Sequence, residues 1–198
     1  MKKLMLLVLV AGLVFSCSSQ REVTRLDPEA TTDLSGKWNE TDARLVAEAM
    51  IQDCLSRPWL TNFVADNGRK PVVTVGRIRN RTSEHIDMET FTADFTRELI
   101  NSGSIRFVAN KFDREDVRDE RWDQDEFASA ETRKKLREEL GADYLLMGSV
   151  KSITDQLEGK KTVFYQTDLQ LINVESNEIV WTQQKEIKKG ISQGRTRW

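Results

Sequence analysis

The sequence is poor in the residues that carry metal and redox chemistry. Its 198 residues include one histidine, His85, and two cysteines, Cys17 and Cys54. A closed site of His and Cys ligands needs about four of them, so no metal centre of that kind is expected. There is no G-x-x-x-x-G-K-[ST] loop and no G-x-G-x-x-G turn, so neither common phosphate cradle is present. Basic and acidic side chains nearly balance, 30 against 32, and nothing global recruits nucleic acid. No internal repeat or low-complexity tract breaks the chain into modules. Gly190-Ile191-Ser192-Gln193-Gly194 spells G-x-S-x-G. A nucleophile elbow needs a helix after the serine and a histidine later in the chain; here the chain ends almost at once and His85 lies upstream. Many carboxylates are present, but no pair stands out as acid and base. The expectation is a protein with no catalytic residues and no cofactor.

What is present begins with a targeting segment. Lys2 and Lys3 precede an apolar run, Leu4 to Phe15, too short to span a bilayer as a helix. Ser16-Cys17 follows, the pattern of a lipobox, in which Cys17 is acylated (palmitate among the chains) and becomes the mature N-terminus. An ordinary cleaved signal peptide with a chance cysteine is the alternative. Several acyl chains at about 0.8 kcal/mol per buried methylene would hold the protein on a membrane. Residues 1–16 are thus read as signal peptide and 17–33 as a flexible tether containing Pro28. Residues 34–190 are read as one globular domain and 191–198 as a frayed tail.

Within the domain the chain is organised around Val72–Ile78, a β-branched run of the kind buried on both faces of a sheet, with Pro71 where a missing N–H costs least. Before it, Asn39 is set to cap a helix whose stripe is Leu45, Val46, Ala49, Met50 and Cys54. Pro58 stops that helix. Trp59, Leu60 and Phe63 follow, either packing under the sheet or standing exposed as an anchor for a partner. After the strand, Asp87 caps a helix with the stripe Met88, Phe91, Phe95 and Leu99, and Gly103 ends it. Ile105–Val108 is a short strand, completing a right-handed β-α-β unit. Lys111–Glu126 is dense in charge and reads as a solvated loop or irregular helix. Ser129 caps a third helix with Leu136 and Leu140 facing inward. Tyr144–Ile153, Lys161–Asn173 and Ile179–Ile187 form a meander. The expected fold is α/β: a single sandwich domain on one mixed sheet, in the order α-β-α-β-α-β-β-β with helices on the sheet.

Arg77, Arg79 and Arg81 alternate past the apolar run and would share one face. Arginine suits planar recognition of carboxylates. These residues, with Asn80 and Trp59, are the candidate partner-binding set. The competing reading pairs the arginines with the acidic stretch Lys111–Glu126 of the same chain.

The lipobox, Asp33-Leu34-Ser35-Gly36, Trp38-Asn39-Glu40-Thr41-Asp42, Arg57-Pro58-Trp59-Leu60, Gly76-Arg77-Ile78-Arg79-Asn80-Arg81-Thr82 and Gly141-Ala142-Asp143-Tyr144 together resemble the LpoB-type lipoprotein activators of penicillin-binding proteins. The closing strands, Phe164 to Trp181, are similar as well. The resemblance implies a fold like the N-terminal domain of TolB and like the curli secretion lipoprotein CsgG. It implies an outer-membrane lipoprotein facing the periplasm, a monomer without catalysis of its own. Such a protein docks on a regulatory domain of a bifunctional, class A penicillin-binding protein and stimulates peptidoglycan synthesis. A CsgG-like secretion or assembly lipoprotein is the alternative. Enterobacterial members carry a long proline-rich tether, whereas Ser18–Asp33 reaches at most about 55 Å.

Overall fold

A computed structural model describes residues 22–27, 30–127 and 139–192. The signal segment, Cys17, most of the helix expected from Ser129 and the last six residues lie outside the described residues. The segment before Thr31 is a unit apart from the domain and has no regular structure where it is described.

The domain opens with helix α1, Glu40–Ser56. Asn39 and Asp42 close a reciprocal capping box, Asn39 Oδ1 accepting from the Asp42 N–H at 3.1 Å and Asp42 Oδ2 from the Asn39 N–H at 3.0 Å. The buried stripe is Ala43, Val46, Ala47, Met50, Ile51 and Cys54. Leu45, expected inside, is exposed; the stripe is turned so that the small Ala43 and Ala47 let the helix approach the sheet. Pro58 does end α1, but it also begins a second helix that the sequence order omits. Arg57 is extended and Pro58 takes the first position of α2, Pro58–Asn67, where its missing N–H has no intrahelical partner to lose. Trp59 and Phe63 pack edge-on against Tyr144, with ring centroids 5.1 and 5.6 Å away.

Strand β1, Val72–Arg81, leads to helix α3, Met88–Asn101. Asp87 caps α3 by accepting from the N–H groups of Glu89 and Thr90, and Phe91, Phe95 and Leu99 are buried as the spacing predicts. Strand β2 is shorter than expected, Arg106–Phe107. Lys111–Phe127 is a regular helix, α4. Its Arg114, Arg118 and Arg121 recur at helical spacing and converge on Glu139, Arg118 in a bidentate pair at 2.7 and 2.8 Å. That convergence ties an otherwise solvated helix to the chain that leads into β3. Leu140, expected inside, is exposed; Leu136 lies outside the described residues. Strands β3, Tyr144–Leu157, β4, Lys160–Asn173, and β5, Ile179–Ser192, complete the chain.

The sheet order is β2-β1-β3-β4-β5, with β2, β1 and β3 parallel and β3, β4 and β5 antiparallel. This is the mixed α/β arrangement with a closing meander. α1 packs on α3 and β5, and α3 packs on β1 and β2, so one face of the sheet is covered by helix. The core sits between, built on Phe91, Phe95, Leu146, Val150, Leu169 and Leu171; each such side chain contributes roughly 1.5–3 kcal/mol. Among the described residues none before Trp38 enters that core.

The chain approaching α1 is nonetheless fastened to the sheet. Lys189, on β5, is 7% exposed and donates to Asp33 Oδ1 at 2.8 Å and to the Lys37 carbonyl at 2.9 Å, and it pairs with Asp42. Gly36, at φ +67°, lies so close to Ile191 that a Cβ has no room. Trp38 packs edge-on against Phe91 and Tyr165, and its N–H donates to Glu84 Oε2 at 3.1 Å. β5 continues through Ser192, beyond the position where the tail was expected to start.

Candidate functional site

The three arginines owe their common face to a break in β1. The pairing of β1 with β3 steps from Val75↔Leu146 to Ile78↔Gly148, so the β1 side carries one extra residue, a β-bulge at Gly76–Arg77. Strict alternation would place Arg77 and Arg79 on the face of Val73 and Val75, inside the core. The bulge exchanges the faces. Ile78 joins Val73 and Val75 in the core, while Arg77, Arg79 and Arg81 are exposed on the opposite side. Gly76 is the residue that permits the crowding, since a Cβ there would stand 2.8 Å from Leu145 Cδ1.

On that face the arginines border a shallow hollow with Met147, Ser149, Asp168, Gln170 and Thr182. Arg79 stands beside Ser149, which pairs across to Asp168; Arg81 stands beside Lys151, which pairs across to Gln166. Asp168 is the nearby acid, but it is already engaged, accepting from Lys151 Nζ at 2.8 Å and Gln166 Nε2 at 2.7 Å. Among the described residues no carboxylate comes within ion-pair distance of Arg77, Arg79 or Arg81. Pairing with the acidic stretch of α4 therefore does not occur there; that helix uses its own arginines on Glu139. What the site presents is a row of planar, always-charged, bidentate donors with no partner in the described chain.

The other two candidate residues are placed elsewhere. Asn80 points away from the arginines. Its Nδ2 donates to the Glu84 carbonyl at 2.8 Å and its Oδ1 accepts from the Thr82 N–H and hydroxyl at 2.9 and 2.8 Å. It holds the turn after β1 and so fixes the strand end that carries Arg81. Trp59 is buried, its indole N–H donating to the Cys54 carbonyl at 2.7 Å, and takes the packing role of its two readings.

Glu84, in the same turn, was not singled out by its sequence context. Its Oε2 accepts from the Tyr165 hydroxyl at 2.8 Å as well as from the Trp38 N–H, joining this turn to β4 and to the start of the domain. Burial, then the bond to Glu84, pushes the Tyr165 phenol above its ordinary value, so it stays a neutral donor. Burial also pushes the Cys54 thiol up to about 12, which leaves it unreactive at neutral pH. Among the described residues no group of His, Cys, Asp and Glu could hold a metal ion. No helix of the described residues is long and apolar enough to cross a membrane. The strands long enough for a barrel hairpin, β3, β4 and β5, are paired in series within this sheet.

Among known structures, the chain is similar to the C-terminal domain of LpoB from Salmonella enterica, 18% identical, covering 66% of this chain and 93% of that one, with a TM-score of 0.34. It is also similar to the C-terminal domain of LpoB from Escherichia coli, at 20% identity, 69% and 94% coverage and a TM-score of 0.33. A third relative is the lipoprotein GNA1162 from Neisseria meningitidis, at 14%, 64%, 88% and 0.41. No curated protein matches. The family model described as peptidoglycan-synthase activator LpoB matches residues 42–187, a span that holds nearly all of α1, the arginine row and nearly all of the sheet; the chain belongs to the LpoB family of peptidoglycan-synthase activators.

Proposed function

We propose that this chain is a non-enzymatic lipoprotein, anchored through Cys17 in the outer membrane and facing the periplasm, that docks on a bifunctional class A penicillin-binding protein and activates it. The observation that carries the reading is the exposed row Arg77, Arg79 and Arg81 on the face of the sheet opposite α1 and α3, with no ion-pair partner among the described residues, in a chain of an activator family. Such a row complements an acidic surface on a regulatory domain of the synthase. Activation then requires only that this surface bind the active conformation of the synthase more tightly than its resting one. Asn80 and Glu84 serve by holding the turn that sets the row in place, and Trp59 by supporting the core. The tether from Ser18 to Ala30 reaches at most roughly 45 Å, so the synthase must project its docking domain toward the anchor.

The test is glycan polymerisation by the bifunctional synthase of the same envelope, with and without this protein, and direct binding between the two. Stimulation is expected. Arg77→Glu with Arg81→Glu should weaken binding roughly 10- to 100-fold and lower the association rate at low salt. A synthase that neither binds nor responds would refute the activator reading. Unchanged affinity in the double variant would move the docking site off this face.

A further inference from the structure

Helix α2 and the β4–β5 turn stand on either side of a hollow of about 780 Å³, within the roughly 300–1,000 Å³ of ordinary ligand sites. Its floor is aromatic, Trp59 and Phe63 of α2 seated on Tyr144 at the start of β3. Its lip is apolar and open, with Val174 52% and Ile179 53% exposed. Both walls are fixed before anything binds. Asn173 Oδ1 accepts from the N–H groups of Glu175 and Ser176 at 2.9 and 3.0 Å, and the Val174 N–H donates to the Asp143 carbonyl at 2.9 Å. On the other side α2 ends at Gly68, whose left-handed backbone closes the helix with a bond to the Val64 carbonyl. A partner therefore meets side chains that need little further ordering.

The charge of the hollow is one-sided. Asp66, Asp143, Glu175 and Glu178 line it, against Arg69 alone. Arg69 and Asp143 neutralise each other in a bidentate pair at 2.7 and 2.8 Å. Asp66, Glu175 and Glu178 are exposed, and among the described residues none of them has an ion-pair partner. Arg69 shows how this surface receives a guanidinium. It lies 5.0 Å over the Phe63 ring while its fork holds a carboxylate. A second arginine entering beside it would meet the same two chemistries, apolar surface for its stem and carboxylates for its head.

We propose that this hollow docks an extended basic segment of a partner protein, in which arginine is set between aliphatic residues that rest on Val174 and Ile179. The site is distinct from the arginine row. Tyr144 pairs with Val73 and belongs to the core face, whereas Arg79 pairs with Ser149, five residues further along β3 and on the other face, roughly 17 Å away along the strand. The two surfaces carry opposite charge, so they select different segments and can be occupied together. The hollow keeps its complementarity to a cation whatever the row binds.

The test titrates the full chain, in non-ionic detergent, into a fluorescein-labelled Leu-Arg-Leu-Arg-Leu peptide amide and follows anisotropy. Saturable binding is expected, weakening as salt rises because the carboxylates are exposed. Glu175→Gln with Glu178→Gln should weaken it roughly tenfold with unchanged thermal unfolding, and Val174→Ser roughly threefold. Asp119→Asn with Asp123→Asn, the same change of charge on exposed positions of α4, should leave it as it was. Absence of binding overturns the proposal. So does equal weakening by the α4 variant, which would reduce the effect to bulk attraction. Self-association of the chain that disappears in Glu175→Gln with Glu178→Gln would make the occupant a second copy, and overturns it as well.

Discussion

Replacing Lys189 by methionine probes how the arriving segment is held. Lys189 is 7% exposed and faces the Asp33 and Asp42 carboxylates and the Lys37 carbonyl. Methionine fills much the same volume without charge, so the loss is electrostatic. Removing one partner of a buried pair typically costs about 3–5 kcal/mol because the other charge is stranded. Two features lower the figure here. Asp42 keeps the Asn39 N–H through the capping box, and Asp33, 46% exposed, can turn to water. We expect Lys189→Met to cost about 2–3 kcal/mol in urea unfolding, a fall of roughly 4–12 °C in Tm for a domain of this size. Adding Asp42→Asn should recover part of that loss, with a coupling of about 1–2 kcal/mol in the double-mutant cycle. Amide exchange at residues 33–38 should accelerate in the single variant. A loss under about 0.5 kcal/mol with unchanged exchange would show that the lysine is no clamp.

Two other outcomes follow from local geometry. Gly148→Ala would push a Cβ into the Asp168 carbonyl, which is sheet backbone and cannot give; a loss of about 2–3 kcal/mol is expected in denaturant unfolding, and a neutral result would mean the strands can part there. The Arg69 pair at 2.7 and 2.8 Å, and then the Val72 N–H, hold the Asp143 carboxyl below its ordinary value. A depressed carboxyl stabilises the fold above its unfolded pKa, about 3.9, and the contribution is lost as pH falls through the folded value. The stability of Asp143→Asn should therefore converge on that of the parent protein as pH drops from 5 towards 2, measured by urea titration; a constant gap would refute the assignment.

Strand β4 and α3 were legible because their apolar spacing is undisturbed: Phe91, Phe95 and Leu99 on α3, and Val163, Tyr165, Thr167, Leu169 and Leu171 on β4, all lie where period alone puts them. Pro58 was legible as a stop but not as a start, since both roles use the same missing N–H. The regularity of α4 was hidden because it is set by three arginines reaching a glutamate beyond its end, with no apolar stripe to announce it. The arginine row could be read as sharing a face, but which face depended on a bulge that Val-Gly-Arg-Ile disguises as unbroken strand. Gly76, a glycine inside an apolar run, was the signal available. That the guanidiniums lack partners among the described residues is a fact about three dimensions, and no local pattern encodes it.

The extra residue at Gly76–Arg77 ties the chain's interior to its exterior through a single point of parity. Shortening the chain by one amino acid between Val75 and Ile78 would remove the bulge, return β1 to plain alternation and keep Ile78 inside with Arg79 and Arg81 outside. Lengthening it there by one, with the bulge kept, would instead send Ile78 outward and drive Arg79 and Arg81 towards the core. Recognition and folding would then fail together, so this position tolerates the loss of a residue far better than a gain.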